Sequence, residues 1–476
     1  MDILSRIIKN VEKNYYEVAR KYDLSNILNG QVNNDFNNYI NVIKFIDDMS
    51  YSFSTDLYKN IIDKIEDVFY NSEYRKRNCD VINSYERSIW TLFGLVSYSR
   101  RYYHDKFRNE NYYFVDEILM FPKHLRFDPF VCAKVCEVSS IDSMAKAGRT
   151  VSEMIGRRIK FMDDPERVII NRATARNIVR NFKIPNLSFK ERITPSVIYV
   201  MLDEKFVHSQ FNNGKDFMVK AAVIFEDVYD EYKSHKGGKP RLRLSGKRVE
   251  ASIDNDLVSK VSDYIYNTYK VEELSEIIFM GDCASWITSF PSNFHYHKDL
   301  KITFAIDGFH YVQALEHICT FKYDYLLESF KDMVMNNNKK GFINLCNLMC
   351  KNEPSRTDTI IEKQNYILNN WKYIQNYYHK VFTKCSMEAH ISHVFADIFT
   401  SRPRAYSEAG LRQILKLRLL RVNGEDIQKI YFDVLNDLFK KKNILNLSSL
   451  ESKSFSTLPE WLKNILDTFP NTVLNC

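Results

Sequence analysis

The chain has 476 residues, of which 45% are hydrophobic and 27% charged, with a formal net charge of +7. That length exceeds one compact core and predicts about two to four domains of ordinary globular composition. The opening Met1–Ser5 has no basic segment followed by an apolar stretch, and no apolar run approaches roughly 18 residues, so neither a signal peptide nor a membrane span is expected. Nine cysteines occur without the spacing of a disulfide scaffold, and Cys132/Cys136 and Cys346/Cys350 each fit one helix face. They read as buried thiols of a reducing cytoplasm, not as zinc ligands. The positive charge is concentrated. Residues 144–192 hold twelve Lys/Arg against five Asp/Glu, which leaves the rest of the chain near neutral and points to a polyanionic partner.

In chain order, residues 1–80 read as a helical region, with Leu57, Ile61, Ile62, Ile65 and Phe69 at helical spacing. Residues 81–126 change to a small β unit. Ser88–Tyr98 looks like a strand pair turning at Gly94, and Tyr112–Val115 adds another strand. Residues 127–194 return to helix. Ser143–Arg158 carries Met144, Ala147, Val151, Met154 and Ile155 on one side, Asp164-Pro165 starts a further helix, and Ala173–Arg180 forms a short basic one. Helix, turn and basic helix has the shape of a helix-turn-helix reader, with Arg172, Arg176 and Arg180 as DNA contacts; the plainer alternative is a helical connector with a solvated basic face.

Residues 195–425 follow the order strand (197–203), strand (217–225), strand (about 241–252), helix (254–269), strand (276–281), helix (284–289), strand (301–306) and a long helix (308–334). Three strands and a helix, then strand–helix–strand–helix, is the order of an RNase H-like α/β core with a mixed sheet. Residues 336–384 are helical and read as an insertion, and residues 426–476 as a C-terminal tail.

Three of these strands stop at an acid: Val197–Asp203, Ile277–Asp282 and Ile302–Asp307. Short apolar runs without alternation are strands buried on both faces, and open α/β sheets place ligands beyond the carboxyl ends of such strands. A helix beginning near Met387 puts Ile391, Val394, Phe395 and Ile398 on one side, with Glu388 at its head on that same side. Asp203, Asp282 and Glu388 together make a DDE triad, whose hard oxygen ligands suit two Mg²⁺ or Mn²⁺ ions. Taken singly, each acid has a structural alternative as a cap or turn residue. Asp307 is equally a helix cap and a site acid. His310, one turn later, is a candidate contact to a phosphate or leaving group, with simple packing as the alternative. Glu204 should face the opposite side from Asp203 by strand alternation. Cys385, His390 and His393 have poor spacing for zinc, and no P-loop, dinucleotide-binding glycine pattern, HExxH or GxSxG is present.

Tyr199–Glu204, Gly281-Asp282-Cys283-Ala284-Ser285-Trp286-Ile287, Asp307-Gly308-Phe309-His310, Cys385–Val394 and Ser401-Arg402-Pro403, in that order, resemble the ISLre2 family of bacterial insertion-sequence transposases, the UPF0236 group. The likeness runs over roughly residues 85–425 and includes Phe93-Gly94 and Arg100-Arg101-Tyr102-Tyr103. It implies a DDE transposase with an RNase H-like catalytic domain and with Asp203, Asp282 and Glu388 as metal ligands. The DNA contacts would include Arg402 and Arg404, and the setting would be a homo-oligomer on double-stranded DNA in the bacterial nucleoid. The expected reaction is cleavage at element ends and joining of the 3′-hydroxyl to target DNA. A nuclease without strand transfer and a non-catalytic DNA-binding descendant are the alternatives. Two departures stand out. Cys283 occupies the position of a family glycine, and Glu204–His208 lacks the further acid and early histidine expected there.

Overall fold

The computed structural model describes residues 3–22, 36–121, 124, 126–211, 216–233, 240–380, 394–395, 399 and 405–441. The chain divides into two compact units, one of residues 1–184 with 427 onward and one of residues 185–426.

The first unit opens with helices α1 (Ile3–Lys21), α2 (Phe36–Asn71) and α3 (Glu73–Asn78). A three-stranded antiparallel sheet follows: β1 (Cys79–Thr91), β2 (Gly94–Asp105) and β3 (Glu110–Tyr113), then the short α4 (Phe114–Ile118). The 36 residues of α2 span about 54 Å, and the last part of its apolar stripe, including Ile62 and Phe69, lies on that sheet. Phe69 is fully buried, stacked on Phe114 with ring centroids 3.7 Å apart and edge-on to Tyr103. The turn falls at Gly94, as its sequence signal predicts. Its φ of 130° and the Tyr51 ring against it leave no space for a side chain. Asp116 is held between Arg87 and Arg100.

Helices α5 (Pro129–Ser139), α6 (Met144–Met154) and α7 (Arg172–Asn181) pack against one another. Helix Ile427–Lys441 completes this bundle against α5, so the segment expected to be tail begins as a packed helix. The reason is its apolar stripe of Ile427, Ile430 and Tyr431, all buried, and a hydrogen bond from Gln428 Nε2 to Glu137 Oε2 of 2.7 Å. Asp164-Pro165 does not start a helix. The Asp164 carboxylate accepts the Glu166 amide two residues on, which makes a turn. Cys132 and Cys136 are buried free thiols, both raised by burial, Cys132 to about 12.

The second unit is built on a five-stranded mixed sheet of β4 (Val197–Val207), β5 (Phe217–Phe225), β8 (Arg248–Ser252), β9 (Glu276–Gly281) and β10 (Lys301–Ile306). The strand order is β10-β9-β4-β5-β8. β4–β5 and β5–β8 are antiparallel, while β4–β9 and β9–β10 are parallel. The strand expected over 241–252 is two: β7 (Pro240–Ser245), which pairs with β6 (Asp227–Lys233) in a separate ribbon, and β8. Gly246, at φ 60° and tight against the Glu226 carboxylate, makes the break. Helix α8 (Leu257–Thr268) and the short α9 (Ser285–Ser289) cover one face, on Ile198, Val200, Leu202, Ile277 and Phe279.

The long helix expected over 308–334 is interrupted. Helix α10 (Gly308–Cys319) ends at Thr320 with φ 54°, and α11 (Leu327–Met335) resumes after a 3₁₀ turn. Arg356 donates to the carbonyls of His317 and Ile318, two of the groups α10 leaves open at its end. Helices α12 (Lys339–Asn352), α13 (Thr357–Asn369) and α14 (Trp371–Lys380) then form a second core with α10 and α11 around Phe330, Phe342 and Trp371. α14 also lies along β10, an edge strand. Asn376 Nδ2 donates to the Phe304 carbonyl at 2.7 Å, which satisfies one open edge group. Helix α15 (Glu408–Val422) packs on β8. Among the described residues no helix is long and apolar enough to cross a membrane.

Candidate active site

Register brings the acids together. In the parallel β4–β9 pair Met201 lies opposite Met280, and in β9–β10 Gly281 lies opposite Ile306. Continued one or two residues, the same register sets Asp203, Asp282 and Asp307 level, where β9 and β10 end and the parallel pairing of β4 stops. The strand expected to end at Asp203 runs on to Val207, because its antiparallel pairing with β5 continues past the acid. Level positions on parallel strands share a face, so the three carboxylates share the face opposite the α8 core. The close approach depends on Gly281. A Cβ there would sit 2.6 Å from Ile287 Cγ2 and 2.9 Å from the Leu202 carbonyl oxygen. On the other flank Asp203 pairs with Ala221 of β5, whose small side chain leaves room.

Asp203 is half-buried, and its Oδ1 accepts the Glu204 amide at 2.7 Å. Its carboxyl is pushed up to about 6. Burial is the main cause and the charges of Asp282 and Asp307 add to it, while the Glu204 amide and His310 oppose. Asp282 Oδ1 accepts the Ala284 amide at 2.9 Å, and its backbone carbonyl accepts the Tyr366 hydroxyl of α13 at 2.9 Å. Asp307 is buried and caps α10. Its Oδ1 accepts the Phe309 amide at 3.2 Å, and its Oδ2 lies 3.3 Å from His310 Nδ1. That contact, then the charges of Asp307, Asp282 and Asp203, raise the His310 imidazole against the opposing effect of burial. So the cap and the proximity to the acids coexist in Asp307. Glu204 turns to the other face as alternation requires, and its carboxylate accepts the Trp286 indole N–H.

Cys283 has φ 71°, the left-handed region where a glycine is unstrained and a β-carbon is not. The departure at this position is therefore a strained residue directly after a candidate ligand. Burial and the neighbouring Asp282 push its thiol up to about 12.

Glu388, Arg402, Arg404, Cys385, His390 and His393 lie outside the described residues. Of the apolar stripe following Glu388, Val394 and Phe395 are described and buried, and Arg418 Nε of α15 donates to the Val394 carbonyl at 2.7 Å. Among the described residues no three His, Cys, Asp or Glu side chains converge tightly enough to hold a metal ion. The described carboxylates form a row along the rim, not a closed cage. Two contacts to this row come from residues that carry no sequence signal. Tyr366 reaches Asp282 from α13, and the Tyr377 ring of α14 fills the space a side chain at Gly308 would need.

In the other unit, Asn171 caps α7 through the Thr174 amide, and Arg172, Arg176 and Arg180 follow at four-residue spacing, all exposed. Among the described residues none of the three has a carboxylate partner. The buried face of α7 carries Ala175, Ile178 and Val179. Gly148 of α6 lets the segment before α7 approach, since a Cβ there would strike the Ile170 carbonyl. The tight turn of this bundle joins α5 to α6 across residues 140–143. Between α6 and α7 lies the longer segment 155–171, so the connection differs from the simple helix-turn-helix expected.

The sequence pattern of the uncharacterised protein family UPF0236 matches residues 41–434. Several UPF0236 proteins of Caldanaerobacter subterraneus subsp. tengcongensis are similar along most of the chain. One is 26% identical over 395 residues, covering 81% of this chain and 76% of the relative. Another is 24% identical over 421 residues, covering 87% and 84%. A third, 24% identical over 413 residues and covering 86% and 81%, has a name that strings together eleven serial designations from that one organism. With more than half its length matched, the chain belongs to the UPF0236 family.

Proposed function

We propose that this protein is a DDE transposase of the ISLre2 type, acting on double-stranded DNA through an RNase H-like catalytic unit. The observation that carries the reading is the level row of Asp203, Asp282 and Asp307, just beyond the parallel pairing of β4, β9 and β10. Two further features support it. Three antiparallel strands followed by two parallel ones, ordered β10-β9-β4-β5-β8, is the arrangement expected of an RNase H-like sheet. A relative bearing eleven designations in one organism is what a gene present in many copies, as a mobile element is, would produce.

The donor set fits a divalent cation. The oxygens are hard, and Asp203 is raised by neighbouring carboxylates as well as by burial, a repulsion that a cation between them would relieve. Asp203 and Asp282, with Glu388 arriving from its helix, would hold Mg²⁺ or Mn²⁺. A bound pair of such ions supplies activation of the attacking oxygen and stabilisation of the leaving oxygen. The chain's own residues do the rest. The Gly281 contact and the Tyr366 hydrogen bond fix where the two aspartates sit. His310, held by Asp307, presents a partly exposed imidazole beside them, able to meet a phosphate oxygen or to pass a proton to the leaving group. Arg172, Arg176 and Arg180 of α7 would bind the terminal repeats, mostly through phosphates. Joining two ends to one target calls for a homo-oligomer on the DNA.

The test is Mn²⁺-dependent cleavage and joining of element-end DNA by the wild type and by Asp203→Asn, Asp282→Asn and Glu388→Gln. Each substitution should lower the rate by about 10³-fold or more, the scale of a lost transition-state contact. A variant that keeps its activity removes that residue from the triad. Cleavage without joined products would make the protein a nuclease, and DNA binding without any metal-dependent cleavage would make it a binding protein.

A further inference from the structure

The second unit has a concave cleft whose lining contains three lysines and no carboxylate. It is formed where α12 begins and α14 begins, with Lys339, Lys340 and Lys372 at its rim. All three are exposed, and among the described residues none has an acidic partner. Its floor is tied together. The buried Trp371 donates its indole N–H to Asn337 Oδ1 at 2.7 Å, Gln375 donates to the Val334 carbonyl, and Asn338 caps α12 through the Gly341 amide at 2.9 Å. Lys339 Nζ sits 5.4 Å from the centre of the Trp371 ring. Three ammonium groups on one tied floor, with no carboxylate in the lining, offer a site to an anion.

We propose that this cleft grips the phosphodiester backbone of duplex DNA next to the acidic row. The inference rests on the transposase reading for the identity of the polyanion. The placement supports it. Lys372 and Tyr377 are five residues apart on α14, about 7.5 Å along the helix, and the Tyr377 ring abuts Gly308, the residue after Asp307. Phosphates follow each other by about 3.4 Å of axis along one strand. A strand held at the lysines therefore reaches the level of Asp307 within a few nucleotides. Asn376, also lining the cleft, is bonded to the edge of β10 itself, so cleft and acids share one rigid support. The segment that reads as an insertion thereby gains a role beyond covering the sheet edge.

The experiment is fluorescence anisotropy of the full chain on a duplex of arbitrary sequence across a salt series. The variant is Lys339→Ala/Lys340→Ala/Lys372→Ala, with binding of inorganic phosphate measured in parallel. Loss of three phosphate contacts should make the slope of log affinity against log salt shallower by about 2.7. Between roughly 50 and 200 mM salt the wild type should then lose about 40-fold more affinity than the variant. Coincident slopes would overturn the proposal, and joined products formed normally by the wild type alongside them would leave the transposase reading standing. A shallower slope in the variant, with no joining by the wild type, would keep the cleft and end that reading. Saturable binding of inorganic phosphate that is lost in the variant while the DNA slopes coincide would make this a small-anion site, and would also overturn the proposal.

Discussion

The rim of the five-stranded sheet and the outer face of α7 organise charge in opposite ways. At the rim, acids far apart in sequence are brought level by backbone register and partly buried, and Asp203 is raised by that burial and by the charges of the other two. On α7, arginines four residues apart are exposed along a single helix, with no carboxylate partner among the described residues. The first arrangement costs the fold something, because like charges share a confined space. The second costs it almost nothing. A feature that is costly and geometrically exact in register suits chemistry, whereas a low-cost solvated stripe suits binding of an extended polyanion.

The largest expected effects come from crossing these two regions. Asp203→Asn should abolish metal-dependent cleavage by about 10³-fold or more while leaving DNA affinity within a few fold. Replacing Arg172, Arg176 and Arg180 together by alanine should do the reverse. The salt slope of binding should fall by about 2.7, and turnover at saturating DNA should stay near that of the wild type. Parallel filter binding and cleavage assays would check both. Equal loss of binding and turnover in both variants would dissolve the contrast.

A smaller effect is expected from Gly281→Ala. The added methyl meets Ile287 and the Leu202 carbonyl, so β4 and β9 must part. Overpacking of this kind costs about 1–3 kcal/mol, readable as a lower denaturation midpoint, and it should lower activity further by misplacing Asp203 against Asp282. Full stability in this variant would show that the strands do not need the close approach. Smallest is the strain at Cys283. Comparing Cys283→Gly with Cys283→Ala removes the thiol from both, so their difference reports the backbone alone. Glycine should be the more stable by about 1 kcal/mol, measured by chemical denaturation. Equal stability would mean that φ 71° carries no cost at this position.

Much of the second unit was legible in the sequence because its strands are buried on both faces. Ile198, Val200 and Leu202 point to one side and Tyr199 and Met201 to the other, and all are buried, which produces the unbroken apolar runs that end at the acids. Gly94 was legible because two flanking strand patterns left only one place to turn. What escaped was set by contacts across long sequence distances. Nothing local distinguishes Tyr366 or Tyr377 from other tyrosines; their contacts to Asp282 and Gly308 exist only once α13 and α14 fold back. The break at Thr320 has no glycine or proline to mark it, and Arg356 caps the α10 carbonyls from 38 and 39 residues away. The helix Ile427–Lys441 carried a readable stripe, but the polar sequence beyond it led the whole of 426–476 to read as tail. The row of three aspartates lay in the register itself, since Asp203, Asp282 and Asp307 stand at equal offsets from the paired starts Val197, Glu276 and Lys301.

The most direct measurement is the anomalous scattering of Mn²⁺ in crystals of the protein bound to element-end DNA. Two peaks about 4 Å apart, held by Asp203, Asp282 and Glu388, are expected. Peaks elsewhere, or Glu388 on the face of the sheet that carries α8, would contradict it.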